Sequence, residues 1–259
     1  MKKVHLKLFN KNISVLRSEL DNGLPTIIFF HGFPDDYHVW ENINKSIGSS
    51  YNQVCLNLSD FLGLKQSRIQ LYFLKIIDAL NIPLNQGLYF LGHDIGGPFC
   101  HLLCDVIKKD LKGVIFLNSF DIVSYRENFL SKQMLKSWYA LFFQSSLIRL
   151  GIKKSKSIRD RLFNLVAKEA RDINSVENID HYQLFFGFIF SKKRKELFLP
   201  ENTFFIFSKD DNFLSIPSKN KIHYEVQVLR GGHWDLFEKD HMVSQIVLKK
   251  LESWERIYA

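Results

Sequence analysis

The chain has 259 residues, ample for one large domain and short for two, and its 46% hydrophobic and 24% charged content is that of a globular protein with a sizeable core, which excludes a disordered chain. No run of eighteen apolar residues occurs, and Lys2-Lys3 is followed by polar alternation where a leader would need an apolar stretch, so a cytoplasmic protein without a membrane span is expected. The net charge of +8 raises nucleic acid or an anionic membrane as partners, but the densest basic runs, Lys153-Lys154-Ser155-Lys156 and Lys192-Lys193-Arg194-Lys195, match no binding module and read as solvated faces; neither partner is expected.

Taken in chain order, β-rich segments predict strands at 4–9 and 13–20, close enough for a hairpin, and then at 26–30 and 53–58. An amphipathic helix is expected at 67–80, a strand at 88–91, a second helix at 98–109 and a strand at 114–117. Strands at 203–207 and 225–229 bring the number to eight. Helices between strands from the third onward predict a mostly parallel α/β sheet flanked by helices. The aromatic-rich stretch 121–199 has helical rather than strand periodicity, and we read it as a helical cap inserted into a core domain made of 1–120 and 200–259. Cys55, Cys100 and Cys104 are an odd count without framework spacing, which predicts reduced thiols. Cys100 and Cys104, beside His101, read as packed small side chains rather than metal ligands, and no metal is expected.

In open α/β sheets the reacting groups gather beyond the carboxyl ends of the strands. After the third strand stands His31-Gly32-Phe33-Pro34-Asp35-Asp36, whose Gly and Pro force an irregular loop able to aim a backbone N–H into a cleft. After the fifth comes Gly92-His93-Asp94-Ile95-Gly96-Gly97, the G-x-x-x-G frame of a nucleophile elbow with Asp at the apex where Ser is commoner. After the seventh come two adjacent acids in Ser208-Lys209-Asp210-Asp211, and after the eighth an imidazole in Gly231-Gly232-His233-Trp234. Taken singly, an Asp after a strand is often a helix cap and a lone His a packed one. Here the order nucleophile, acid, histidine, each member after its own strand, is the order of a catalytic triad on this architecture.

These features resemble the aspartate-nucleophile branch of the α/β-hydrolase superfamily, which contains epoxide hydrolases and haloalkane dehalogenases. The likeness covers nearly the whole chain and is most specific at His31-Gly32-Phe33-Pro34, Gly92-His93-Asp94-Ile95-Gly96-Gly97, Gly232-His233-Trp234 and the segment Ser137-Trp138-Tyr139-Ala140-Leu141-Phe142-Phe143-Gln144. It implies an eight-stranded α/β-hydrolase sheet with a helical cap and a triad of Asp94, His233 and an acid. The family's spacing of the acid selects Asp211, with Asp210 still open. The resemblance also implies that Tyr139 and, through Asp180-His181-Tyr182-Gln183, Tyr182 protonate an epoxide oxygen, with Tyr125 a competing tyrosine. Trp138 and Phe143 would line the substrate pocket, no cofactor is implied, and the substrate would be a small, apolar molecule met by a monomer or homodimer.

The chemistry accounts for the residue types. A carboxylate near its ordinary pKa of about 3.9 is ionised at neutral pH and needs no base before attacking an sp³ carbon. An epoxide leaves as a basic alkoxide, so phenol donors supply the electrophilic help, and an imidazole then delivers water to the aspartyl ester. Backbone N–H groups of Phe33 and Ile95 would receive the oxyanion. The family's halide ligands, Trp after the nucleophile and Asn after the His-Gly pair, are replaced by Ile95 and Phe33, which favours epoxide over halide chemistry. A dehalogenase with a halide pocket built around Trp138 or His181 is the alternative. A scaffold without turnover is disfavoured by the intact set of groups, and an esterase by the missing serine.

Overall fold

The computed structural model describes residues 1–33, 35–124, 133, 136, 143, 145–158, 160–161, 197–217, 223–234, 237 and 240–258. Eight strands form one sheet: β1 (Lys2–Leu8), β2 (Lys11–Arg17), β3 (Thr26–Phe30), β4 (Asn52–Leu56), β5 (Leu88–His93), β6 (Leu111–Leu117), β7 (Thr203–Ser208) and β8 (Glu225–Leu229), in the order β1-β2-β4-β3-β5-β6-β7-β8. β1 and β2 make the expected antiparallel hairpin, β2 joins β4 antiparallel, and every pairing from β4 to β8 is parallel. The eight-stranded, mostly parallel sheet expected from the sequence is therefore present.

The central strands are apolar runs rather than alternating ones because helices cover both faces. Every residue of β3, β4 and β5 is buried, whereas β1 at the edge alternates between exposed and half-buried positions. α1 (Glu41–Ile47) packs against α5 (Asp240–Tyr258), while α2 (Gln66–Leu80) packs against α3 (Gly96–Cys104) and β1. α2 buries Ile69, Tyr72, Phe73, Ile76, Ile77 and Leu80, the stripe of a one-sided helix, and closes on Asn81 in the left-handed region. α3 is buried on every side, which is why its sequence lacks a polar face. Rings dominate the interior: Phe30, Phe73, Phe90, Phe99 and Phe61 form a chain of edge and tilted contacts with centroids 5.1 to 6.5 Å apart. Full burial of each such ring contributes roughly 1.5–3 kcal/mol.

Several boundaries differ from expectation: β1 and β2 span Lys2–Leu8 and Lys11–Arg17, β4 ends at Leu56 and β5 runs on to His93. The helix after β5 begins at Gly96, directly out of the elbow, and its α-helical part ends at Cys104 before a 3₁₀ turn over Asp105–Ile107. β6 starts at Leu111, because its first residues pair with the start of β5 across an irregular register. The three cysteines are buried free thiols. No helix among the described residues is long and apolar enough to cross a membrane.

Most of 121–199 lies outside the described residues. The described part includes α4 (Ser146–Lys154) and three positions, 133, 136 and 143, that touch the body.

The sheet order also locates the cleft. β3 lies between β4 and β5, so the chain leaves β3 toward one side and continues from β5 toward the other. That is a topological switch point, where the loops diverge and leave a crevice at the carboxyl ends of the strands. The loop carrying Phe33 and the turn carrying Asp94 flank it.

Candidate active site

Asp94 follows β5 with φ 47°, left-handed backbone that an L-residue adopts at a cost of about 1–2 kcal/mol. The turn persists because its surroundings fix it. A Cβ on Gly96 would lie 2.2 Å from the Phe30 carbonyl oxygen, and one on Gly32 would lie 2.6 Å from the Cβ of Asp94. Only glycine lets the two loops approach at backbone distance, and that approach puts the Phe33 N–H 3.0 Å from Oδ2 of Asp94, to which it donates.

His31 fixes the first loop. It is fully buried, its Nδ1 lies 2.9 Å from the Gly32 carbonyl oxygen and its Nε2 accepts from the Leu58 N–H at 3.0 Å. An acceptor at Nε2 leaves the proton on Nδ1, so the ring is neutral, in keeping with a pKa that burial lowers. The tautomer thereby orients the Gly32 peptide that precedes Phe33.

The imidazole and its carboxylate sit on neighbouring loops. His233 Nδ1 lies 2.7 Å from Asp211 Oδ2, both side chains being 2% exposed. Oδ1 of Asp211 accepts from the N–H groups of Phe213 at 2.7 Å and Leu214 at 2.8 Å, which tethers the carboxylate to its own loop. Asp210 is exposed and, among the described residues, accepts a long bond, 3.3 Å, from the Gly231 N–H. Of the two adjacent acids, Asp211 is the one brought to His233.

Charges at the site act on one another. Burial raises the pKa of Asp94, while the positive charge of His233 and backbone N–H groups of Phe33 and Ile95 pull it back, and Asp211 adds to the rise. The carboxylate is thus less acidic than the ordinary value assumed from the sequence, because it is desolvated. Burial disfavours the His233 imidazolium, but Asp211, Asp94 and Asp35 outweigh it and the net shift is upward.

Other expected residues divide by whether the structure describes them. Phe143 is buried, its ring centroid 6.1 Å from that of Phe33. Tyr139, Tyr182 and Trp138 lie outside the described residues. Phe33 and Ile95 are 5% and 4% exposed, and neither side chain carries a hydrogen-bond donor.

Sequence reasoning gave no role to five residues that build this site. Trp234, next to His233, donates its indole N–H to Oδ2 of Asp35 at 3.0 Å. Burial drives the Asp35 carboxyl up to about 7, against the Trp234 hydrogen bond and the His233 charge and with help from Asp94. Asn118 and Ser119, at the end of β6, hydrogen-bond the main chain of His233 and Asp94. His93, wholly buried, lies between His233, tilted against it, and Phe237, edge-on to it, with centroids 4.8 and 4.7 Å away, and burial followed by the His233 charge holds it neutral. A carboxylate two residues beyond Phe33 was the one available signal for Asp35.

Comparison with known proteins agrees with the fold that positions these residues. A family model described as alpha/beta hydrolase fold matches residues 25–240. A protein named epoxide hydrolase 3 from Xenopus tropicalis is 22% identical over 269 aligned residues, spanning 88% of this chain and 71% of the relative. Epoxide hydrolase 4 of Homo sapiens is 25% identical over 132 residues, 48% of this chain and 36% of that protein. Among solved structures, a Bacillus megaterium epoxide hydrolase in complex with an inhibitor superposes with a TM-score of 0.70 at 15% identity, covering 96% of this chain and all of that one.

Proposed function

The chain belongs to the alpha/beta hydrolase fold family, and on that premise we propose that it hydrolyses epoxides to vicinal diols through a covalent ester on Asp94. One observation carries the reading: the apex of the elbow is a carboxylate whose Oδ2 is held by the Phe33 N–H, beside the His233–Asp211 pair. The names of the two curated relatives support the same substrate class.

The reaction follows from the groups present. Oδ1 of Asp94 attacks an epoxide carbon, the C–O bond opens, and the alkoxide takes a proton from Tyr139 or Tyr182, roles the family resemblance supplies. The product is a hydroxyalkyl ester. With Nδ1 donating to Asp211, neutral His233 has Nε2 available to accept a proton from water. The hydroxide attacks the ester carbon of Asp94, and the N–H groups of Phe33 and Ile95 stabilise the oxyanion in the tetrahedral intermediate. Collapse expels the diol as its alkoxide, which takes the proton held by His233, and the carboxyl proton left on Asp94 returns to the phenolate of the tyrosine, so carboxylate, imidazole and phenol are all restored. The N–H that holds Oδ2 beforehand is positioned for the same oxygen in the intermediate, so this step requires little reorganisation. Loss of both side-chain halide donors, at Phe33 and Ile95, favours this reading over dehalogenation.

The test follows diol and halide release from aryl and alkyl epoxides and from haloalkanes. Diol from epoxides is expected, and halide release without diol overturns the proposal.

A further inference from the structure

The end of β6 carries two adjacent side chains that reach toward the whole site. Asn118 is fully buried, has φ 38° and donates its backbone N–H to the Ile206 carbonyl oxygen at 2.8 Å. Its side chain makes three bonds. Nδ2 donates to Ser208 Oγ at 2.9 Å and to the His233 carbonyl oxygen at 2.8 Å, and Oδ1 accepts from the Ser208 N–H at 2.6 Å. A primary amide has two N–H donors, and both are engaged along with the carbonyl oxygen. Ser208 ends β7, and its carbonyl oxygen accepts from the Asp211 N–H at 3.4 Å, so the turn that presents Asp211 starts from a residue Asn118 holds at two points. The same planar group holds the peptide of His233. Next to it, Ser119 Oγ donates to the Asp94 carbonyl oxygen at 2.5 Å, and this approach requires glycine at 97, where a Cβ would lie 1.8 Å from that hydroxyl.

A buried Asn after a strand ordinarily only satisfies nearby backbone groups. Here the groups it satisfies belong to two segments, 90 and 115 residues away in sequence, that carry the imidazole and its carboxylate. We infer that Asn118 is the positioning residue that sets His233 against Asp211, and thereby governs hydrolysis of the Asp94 ester rather than its formation. Ester formation needs the Asp94 carboxylate, which Asn118 does not touch; ester hydrolysis needs an imidazole correctly oriented and charged by Asp211. The inference rests on the reading of Asp94, His233 and Asp211 given above.

Asn118→Gly tests it, because glycine accepts φ 38° without strain while removing all three side-chain bonds. Two readouts are taken from wild type and variant: the NMR titration of the His233 ring, and intact mass during a single turnover of styrene oxide. In the variant the His233 midpoint should fall toward that of an ordinary histidine. The Asp94 adduct should form at the wild-type rate and decay about a hundredfold more slowly, the penalty typical of a displaced catalytic group. An unchanged titration together with unchanged adduct decay overturns the inference. If styrene oxide labels neither protein, the epoxide reading fails at that probe, and the titration alone still decides the positioning role. Should the variant not fold, the wild type supplies the test: the Asn118 side-chain amide signals must move with the His233 titration, and indifference of those signals overturns the inference.

Discussion

The indole N–H of Trp234 reaches across 199 positions of sequence to Oδ2 of Asp35, at 3.0 Å. The bond joins the loop that carries His233 to the loop that carries Phe33, so the imidazole and the N–H that holds Asp94 are braced against each other. It also leaves a third carboxylate beside Asp94 and His233, where burial holds its pKa at about 7 instead of 3.8.

Asp35→Asn should stabilise the protein at neutral and alkaline pH. A carboxyl whose folded pKa is raised binds a proton more tightly folded than unfolded, so its contribution is full below 3.8 and is lost as pH climbs toward 7. Asparagine keeps an acceptor for the Trp234 N–H and cannot ionise. The difference in Tm between variant and wild type should be small at pH 4, grow through the interval up to about 7 and then level off; a constant difference across that range would remove Asp35 as the titrating group. The variant should also lower the His233 pKa, which Asp35 helps to raise.

Ester hydrolysis should depend on pH through His233. The imidazole must be neutral to take a proton from water. In the free protein Asp211, Asp94 and Asp35 raise its pKa against burial, and in the ester Asp94 no longer contributes charge while Asp211 and Asp35 still do. Decay of the Asp94 adduct should therefore accelerate as pH rises through the His233 midpoint, and the adduct should accumulate below it. His233→Gln should make the adduct persist at every pH. Rapid-quench intact mass measures both, and an adduct lifetime independent of pH would exclude His233 as the base.

Much of the fold could be read directly because parallel strands covered on both faces are apolar runs, such as Thr26–Phe30 in β3 and Leu88–His93 in β5, and because glycine spacing around Asp94 marks a turn no other residue permits. The bracing residues were not readable. Asn118, Ser119, Trp234 and Asp35 are a short amide, a hydroxyl, an indole and an acid after strands or in loops, where local caps explain such residues equally well. Their meaning comes from partners brought close by the sheet order. The choice between Asp210 and Asp211 is of the same kind: adjacent acids on one turn face opposite ways, and only the tertiary position of His233 separates them.

Asp211→Asn should reduce ester hydrolysis by about 10⁴, far more than loss of a charge alone would cause. Oδ1 can go on accepting from Phe213 and Leu214, which places the amide NH₂ against His233 Nδ1. Nδ1 would then have to accept, moving the ring proton to Nε2, where it blocks proton abstraction from water. Asp210→Asn, at an exposed position, should hydrolyse the ester at nearly the wild-type rate. Equal losses in the two variants, measured as adduct decay, would contradict this assignment.

Lys136 and Gln133 extend the bracing of the acid loop into the stretch between β6 and β7. Lys136 Nζ donates to the carbonyl oxygens of Asp211 at 2.5 Å and Leu214 at 2.8 Å, while Gln133 donates to the Phe213 carbonyl oxygen at 2.9 Å and accepts from the Ser215 N–H at 2.8 Å. Lys136→Met preserves side-chain length and removes both donated bonds, so the two carbonyls lose a charged partner at a cost of about 1.5–3 kcal/mol. Denaturant unfolding should register that loss. Because the bonds fix the main chain of Asp211 and not Asp94, adduct formation should change less than adduct decay. A variant equally slow in both steps would mean that Lys136 acts on the site as a whole, and one that loses stability with unchanged decay would mean that the acid loop holds Asp211 in place without help from Lys136.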